Sequence, residues 1–426
     1  MRRPVCLLLS SLLLLCASHP LAAQKFQPKS IQFKGDPEYS DQELLAAAGL
    51  KKGTVLTSAE MNDHSKLLMD SGVFDNLTYK FDGVDLVYSL TPAALMYPIR
   101  LENLPLAIAG KDLDAKLHER LPLYHGKVPP EGTLLDNVRA ALEEMLATQG
   151  IKATVTAAPF GAMGAAKASA INFSITTPPV RVGALQLKGV SPELQARVQA
   201  IADHAIGSPF DTENSVGNIE HAFQLFYADE GYAGVTVHAA RSGDPVIGAA
   251  AVDIPYSVTV DSGPLYKLGA IHLPADSLVT QADIDKITGT QAGLAKGITV
   301  RSIWEMIDSR YKSKGFMSFK LTPHPQFDAA AGTVNYTVDF NPGPVYHLAM
   351  VRFDNVSDDL RKLLMRNWQM LPGDPFDNSY VARFVLDARK ADPALQRTLA
   401  AVKVSYDMRL DPETHEVNLV IRLEKP

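Results

Sequence analysis

Cysteine is nearly missing from this chain: its 426 residues carry only Cys6 and Cys16, both close to the N-terminus. Beyond them the sequence offers no disulfide, no thiolate metal site and no cysteine nucleophile. A positive charge excess is missing as well. Lys plus Arg number 41 against 47 Asp plus Glu, a formal net charge of −6. Phosphate backbones demand a basic face, so nucleic acid is disfavoured as a partner. After the N-terminus no segment approaches the ~18 consecutive apolar residues of a membrane-spanning helix. Catalytic signatures are absent too: there is no His-Glu-x-x-His, no Gly-x-Ser-x-Gly elbow and no Walker loop. His118-Glu119 sits on a polar helix face without a second ligand at metal spacing. Gly161-Ala162-Met163-Gly164 lacks the lysine and following helix of a phosphate loop, and the 11 histidines are scattered. No enzyme activity, cofactor or metal is expected.

The one long apolar run, residues 5–16, follows Arg2 and Arg3 and precedes Pro20-Leu21-Ala22-Ala23-Gln24. A basic start, a short apolar stretch and small residues describe a secretory signal over residues 1–23, cleaved after Ala23. Leu15 is too bulky to make Cys16 the end of a lipobox. Cleavage removes both cysteines and both arginines, leaving a mature chain at −8 without a transmembrane segment. An exported protein without disulfides fits a bacterial periplasm.

What the sequence does contain is a unit recurring about every 80 residues. Each copy opens with a short apolar strand, passes through two helical stretches, breaks at a glycine, and ends in two alternating strands. The breaks are Gly72-Val73-Phe74, Gly150-Ile151, Gly231-Tyr232 and Gly315-Phe316. Junctions rhyme as well: Asp261-Ser262-Gly263-Pro264-Leu265-Tyr266 and Asn341-Pro342-Gly343-Pro344-Val345-Tyr346 lie 80 residues apart. Phe33-Lys34-Gly35 echoes Leu187-Lys188-Gly189, and Gly207-Ser208-Pro209-Phe210 echoes Gly373-Asp374-Pro375-Phe376. Ser40 with Glu43 is a helix-capping pair, and Thr57 caps the second helix. The small-residue stretch from Pro159 to Ala168 reads as a mobile surface loop. In the last copy Asp392-Pro393 interrupts the second helix. Trp304 and Trp368, at helical spacing with aliphatics, read as core. Five copies result, over residues 24–98, 99–180, 181–265, 266–345 and 346–426.

A strand-helix-helix-strand-strand unit of this size, in tandem behind a signal, resembles the POTRA (polypeptide-transport-associated) domain. POTRA arrays precede the membrane barrel in the BamA-like outer-membrane assembly and translocation proteins. The Gly-x-Pro-Phe turns, the breaks at Gly72, Gly231 and Gly315, and the Gly-Pro junctions at Gly263 and Gly343 carry the resemblance. It implies an α+β fold: a tandem array of five β-α-α-β-β modules, each a three-stranded mixed sheet with two helices on one face. The chain departs from the family at Pro426, where the first barrel strand would start, so an array acting without its own pore is expected.

In POTRA domains the second strand is typically the open edge. Carried over, the candidate edges are residues 78–81, 152–157, 235–241, 318–322 and 403–410. Val235, Val237, Ala239, Phe319, Leu321, Lys403, Val404 and Tyr406 are the candidate binding residues. The resemblance thus implies a non-enzymatic periplasmic scaffold in outer-membrane protein assembly or secretion, held at the outer membrane through partners. Its partners would be unfolded outer-membrane or secreted polypeptides, or other envelope assembly proteins, taken up by strand addition. The alternative is a structural spacer or envelope-organising protein that binds no client.

Overall fold

The structure, a computed structural model, describes residues 25–161, 168–289, 293–391, 393–400 and 402–424. The expected signal, with Cys6 and Cys16, lies outside the described residues, as do Ala162 to Gly164 and Asp392.

Side-chain caps set the first helices. After β1 (Lys25–Phe26) and β2 (Ser30–Lys34) comes α1 (Asp41–Ala47). The Ser40 hydroxyl accepts the Glu43 backbone N–H, and the Glu43 carboxylate accepts the Ser40 backbone N–H. β3 (Leu56–Thr57) leads into α2 (Ser58–Asp70), where Thr57 and Glu60 repeat that reciprocal cap. Each cap satisfies two donors that a helix start otherwise leaves open. Helix α2 ends at Gly72, whose φ of 78° only glycine adopts cheaply. β4 (Phe74–Phe81) and β5 (Asp85–Pro92) then form an antiparallel hairpin, and β2 lies parallel to β5. The first sheet therefore has the order β2-β5-β4, with β1 and β3 paired separately. Leu44, Leu68, Leu86 and Tyr88 fill its core.

The second sheet comprises β6 (Tyr97–Leu101), β7 (Lys127–Val128), β8 (Thr154–Phe160) and β9 (Ala170–Thr177), in the order β7-β6-β9-β8. Its helices are α3 (Gly110–Arg120) and α4 (Thr133–Thr148), the latter burying Val138, Leu142 and Leu146 on one face. The loop expected from Pro159 onward starts later. Pro159 and Phe160 stay in β8, paired with Ile171 and Ala170, because a proline is tolerated where a strand's outer side needs no donor.

In the third sheet β10 (Val180–Lys188) begins five residues ahead of Leu185, where the sequence placed the opening strand. Helices α5 (Gln195–Ala205) and α6 (Ser215–Asp229) precede β11 (Thr236–Arg241), β12 (Val246–Ile247) and β13 (Val252–Asp261). The order is β10-β13-β11, with β12 against β13. The fourth sheet, β14-β16-β15, combines β14 (Lys267–His272), β15 (Lys320–Asp328) and β16 (Thr333–Asn341) with α7 (Gln281–Thr288) and α8 (Gly297–Lys312). Ile303, Ile307 and Tyr311 form the buried stripe of α8, as their spacing of four predicts.

The fifth sheet, β17-β19-β18, holds β17 (His347–Asp354), β18 (Lys403–Asp411) and β19 (Glu416–Glu424). Three helices accompany it: α9 (Asp358–Asn367), α10 (Tyr380–Ala391) and α11 (Pro393–Ala400). The division of α10 from α11 falls at the expected interruption. Trp368 packs inside this core beside Phe353 and Phe384, whereas Trp304 is half-buried at the edge of the fourth core.

The chain separates into two compact units. One runs to Ala184 and adds Ile206–Ser215 and Gly243–Pro255; the other comprises Leu185–Ala205, Val216–Ser242 and Tyr256–Pro426. Among the described residues no helix is long and apolar enough to cross a membrane.

Candidate functional site

Each of these sheets has two outer edges, and the chain treats them differently. In the third sheet the Gly207-to-Phe210 turn docks on β10. Val182 N–H donates to the Ser208 carbonyl at 2.9 Å, Gly207 N–H to Val182 at 2.8 Å, and Phe210 N–H to Val180 at 3.0 Å. In the fifth sheet the second Gly-x-Pro-Phe turn makes the same three bonds to β17 and the residue before it: Leu348 N–H to Asp374 at 2.9 Å, Gly373 N–H to Leu348 and Phe376 N–H to Tyr346, both at 2.8 Å. Phe210 and Phe376 are the buried anchors. In the second sheet β7 performs this service for β6, and in the fourth Leu294 bridges Lys267. In the third and fifth sheets the repeated motif therefore closes the first-strand edge. The opposite edge is always the first strand of the closing hairpin: β4, β8, β11, β15 or β18.

Those open edges are not equivalent. In β15, Pro323 and Pro325 lie two apart, so the same side of the strand lacks two donors. A central partner holds the other side in unbroken register from Lys320 to Asp328, so the missing donors face outward and blunt this edge. Phe319 lies outside β15; its N–H is spent on the Phe316 carbonyl at 3.0 Å and its ring stacks on Tyr311 at 4.0 Å. It is a core residue, not an edge contact. Leu321 is in the strand, half-buried.

Strand β11 contains no proline, and its ladder to β13 is regular from Thr236 to Arg241. Val237 and Ala239 bury their side chains. The Ala239 N–H donates to Glu220 Oε1 of α6 at 2.9 Å, so it points away from β13. Antiparallel donors alternate in direction along a strand, and Val237 accordingly directs its N–H the same way. Val235 falls outside the strand, its N–H turned back onto the Tyr232 carbonyl at 3.1 Å. The second sheet repeats the arrangement: the Val155 N–H of β8 donates to Glu143 Oε1 of α4 at 2.8 Å. In both, a helix carboxylate occupies a donor that a strand would otherwise take.

Strand β18 pairs with β19 without interruption from Lys403 to Asp411. Lys403 and Tyr406 are exposed and Val404 is half-buried. Tyr406 and Leu410 leave apolar surface in solvent, and an Asp407–Arg422 ion pair ties β18 to its neighbour.

Sequence reasoning missed one cluster entirely. His118, judged to lack a partner at metal spacing, faces Glu43 at 3.3 Å, and His125 faces the same carboxylate oxygen at 3.1 Å. The partners come from positions far apart in the chain, so no local motif signals them. Burial pushes the Glu43 carboxyl upward, but hydrogen bonds from Ser40 and His125 outweigh it and hold the group below the ordinary carboxylate range.

Residues 28–93 match the family model POTRA, surface antigen variable number repeat. Among solved structures, POTRA domains 3–5 of Haemophilus influenzae BamA are similar at 15% identity and a TM-score of 0.41, covering 58% of this chain and 96% of that one. The N-terminal domain of Omp85 from the thermophilic cyanobacterium Thermosynechococcus elongatus is similar at 18% identity and a TM-score of 0.22, covering 58% and 98%. BamA from Haemophilus ducreyi lacking POTRA domains 1–3 is similar at 18% identity and a TM-score of 0.28, covering 38% of this chain and 30% of that one. Residues 28–93 thus resemble a POTRA domain.

Proposed function

We propose that the protein is a non-enzymatic periplasmic scaffold that binds extended polypeptides during outer-membrane protein assembly or secretion. Binding adds a strand of client or partner to an open hairpin edge, β11 or β18. The observation that carries this reading is the asymmetry of the edges in the third and fifth sheets: the first-strand edge is closed by a Gly-x-Pro-Phe turn, while among the described residues no further strand lies beside β11 or β18. Main-chain donors and acceptors on such a strand pair with almost any extended sequence, and side chains add preference. Glu220 bears on β11 as Glu143 bears on β8. A carboxylate already accepting from Ala239 marks a donor that an incoming carbonyl can take over.

The test uses the purified protein and a labelled, urea-unfolded outer-membrane barrel polypeptide, with binding read by fluorescence anisotropy. Val237→Pro and Val404→Pro each remove a strand donor, and far-UV circular dichroism establishes that the variants stay folded. Both proline variants are expected to weaken binding. Glu220→Ala should strengthen it several-fold, because the client no longer displaces a carboxylate. Folded proline variants at both edges that bind like wild type would sink strand addition and leave the spacer reading.

A further inference from the structure

Glu43, His118 and His125 come from three places: the first turn of α1, the last turn of α3 and the loop before β7. All three belong to the same compact unit. Their ligating atoms lie within 4.8 Å of one another. The two carboxylate oxygens of Glu43 have separate duties. Oε2 accepts from the Ser40 N–H and hydroxyl, each at 2.7 Å, as part of the helix cap. Oε1 is turned to the histidines, 3.3 Å from His118 Nε2 and 3.1 Å from His125 Nε2.

His118 is the decisive member. Its Nδ1 lies 2.8 Å from the Tyr124 carbonyl oxygen. A carbonyl only accepts, so this hydrogen bond assigns the proton to Nδ1. Tyr124 is itself fixed: it is fully buried, and its hydroxyl donates to Asp114 at 2.6 Å. A neutral His118 therefore presents the bare lone pair of Nε2 to a carboxylate oxygen. Two acceptors facing each other at 3.3 Å repel unless a cation sits between them, either a proton or a metal ion.

Two of the three separations suit a metal. Zinc bound at ~2.0–2.1 Å in a tetrahedron separates its ligands by about 3.3–3.4 Å, close to the two separations here. Two imidazole nitrogens and one carboxylate oxygen suit zinc-class ions. The supporting bonds are those of a metal site too: a backbone carbonyl holds the remote nitrogen of His118, and Ser40 holds the remote oxygen of Glu43. His118 is 44% exposed, which leaves a route for the ion and room for water as fourth ligand.

We propose that Glu43 Oε1, His118 Nε2 and His125 Nε2 bind one divalent transition-metal ion of the zinc class, which clamps the first POTRA domain to the α3 region that follows it. Tyr39 and His125 already touch edge to face at 4.8 Å across the same junction, so the ion would tighten a contact that exists rather than create one. Three ligands on separated segments also mean that the ion binds the folded state alone and stabilises it by mass action.

Isothermal titration of zinc chloride into the chelator-stripped protein, in a non-coordinating buffer, tests this. One ion per chain is expected. Glu43→Gln keeps the helix cap, since Gln serves at that capping position, and should weaken zinc binding at least tenfold. His118→Ala, at an exposed position, should do the same. His324→Ala, on β15, whose imidazole pairs with Asp339 of β16, serves as control and should bind like wild type. Zinc should also slow hydrogen exchange in α1 of the wild type and leave the Glu43→Gln variant unchanged. No stoichiometric binding, or a binding isotherm unaltered by both Glu43→Gln and His118→Ala, overturns the proposal and leaves a protonated histidine–carboxylate pair in its place.

Discussion

The close approach of Gly189 to the central strand of the third sheet sets a measurable price on one methyl group. Gly189 directly follows β10 with φ of 75°, and an added Cβ would fall onto the carbonyl oxygen of Val260, well inside 3.0 Å. Val260 is a buried residue of β13 paired with Val237. Gly189→Ala therefore carries two costs. Left-handed backbone strain contributes about 1–2 kcal/mol. Relieving the overlap moves β10 or the Val260 peptide and weakens at least one ladder bond, about 1 kcal/mol, and loosens packing at Val260, about 1 kcal/mol more. The total is about 3–4 kcal/mol. Gly207 is the internal control, because its φ is 83° but an added Cβ there meets nothing within 4 Å. Gly207→Ala should cost the strain alone. Hydrogen-exchange mass spectrometry on peptides covering β13 reads the difference locally, without requiring the chain to unfold in one step. A gap of about 2 kcal/mol corresponds to ~30-fold less protection in the Gly189 variant than in the Gly207 variant. Equal protection in the two variants would refute the close-packing account and leave backbone strain as the whole effect.

Asn355 occupies the corresponding place after β17 with φ of 59°; Asn355→Gly should be neutral or stabilising, and Asn355→Ala should cost about 1–2 kcal/mol in urea melts. Burial pushes the Tyr88 hydroxyl up to about 12. The folded state thus holds this proton after the unfolded chain has lost it near pH 10, and stability should fall as pH rises from 10 to 12. The loss is about 1.4 kcal/mol per pH unit from this residue, and Tyr88→Phe should flatten the midpoint-against-pH curve over that window.

Local chemistry made much of the fold legible before any coordinates. The Ser40 and Thr57 caps depend on side chains three residues away, the helix-ending glycines on one backbone angle, and the buried stripe of α8 on a spacing of four. These are short-range constraints, and they act within a few residues of the positions that carry them. The errors fall where pairing decides. Val235 and Phe319 alternate correctly with their neighbours but turn their N–H groups back into the preceding turn. Pro159 reads as a loop residue, yet an edge strand accommodates it. Pro323 and Pro325 are visible in the sequence, but their consequence depends on which side β16 occupies.

Composition, caps, periodicity and the recurrence of the unit are properties of the sequence by itself, and they determined a tandem α+β chain with alternating helices and hairpins. Tertiary structure decided which edge of the third and fifth sheets the chain closes, because the Gly-x-Pro-Phe turn must meet β10 or β17 through backbone bonds that no side-chain pattern encodes. It also decided that the Glu220 carboxylate reaches the Ala239 donor, and that Glu43, His118 and His125 converge. A ligand set drawn from positions 43, 118 and 125 has no spacing to recognise; only the packing of α1 against α3 and its following loop brings those atoms to within 4.8 Å of one another.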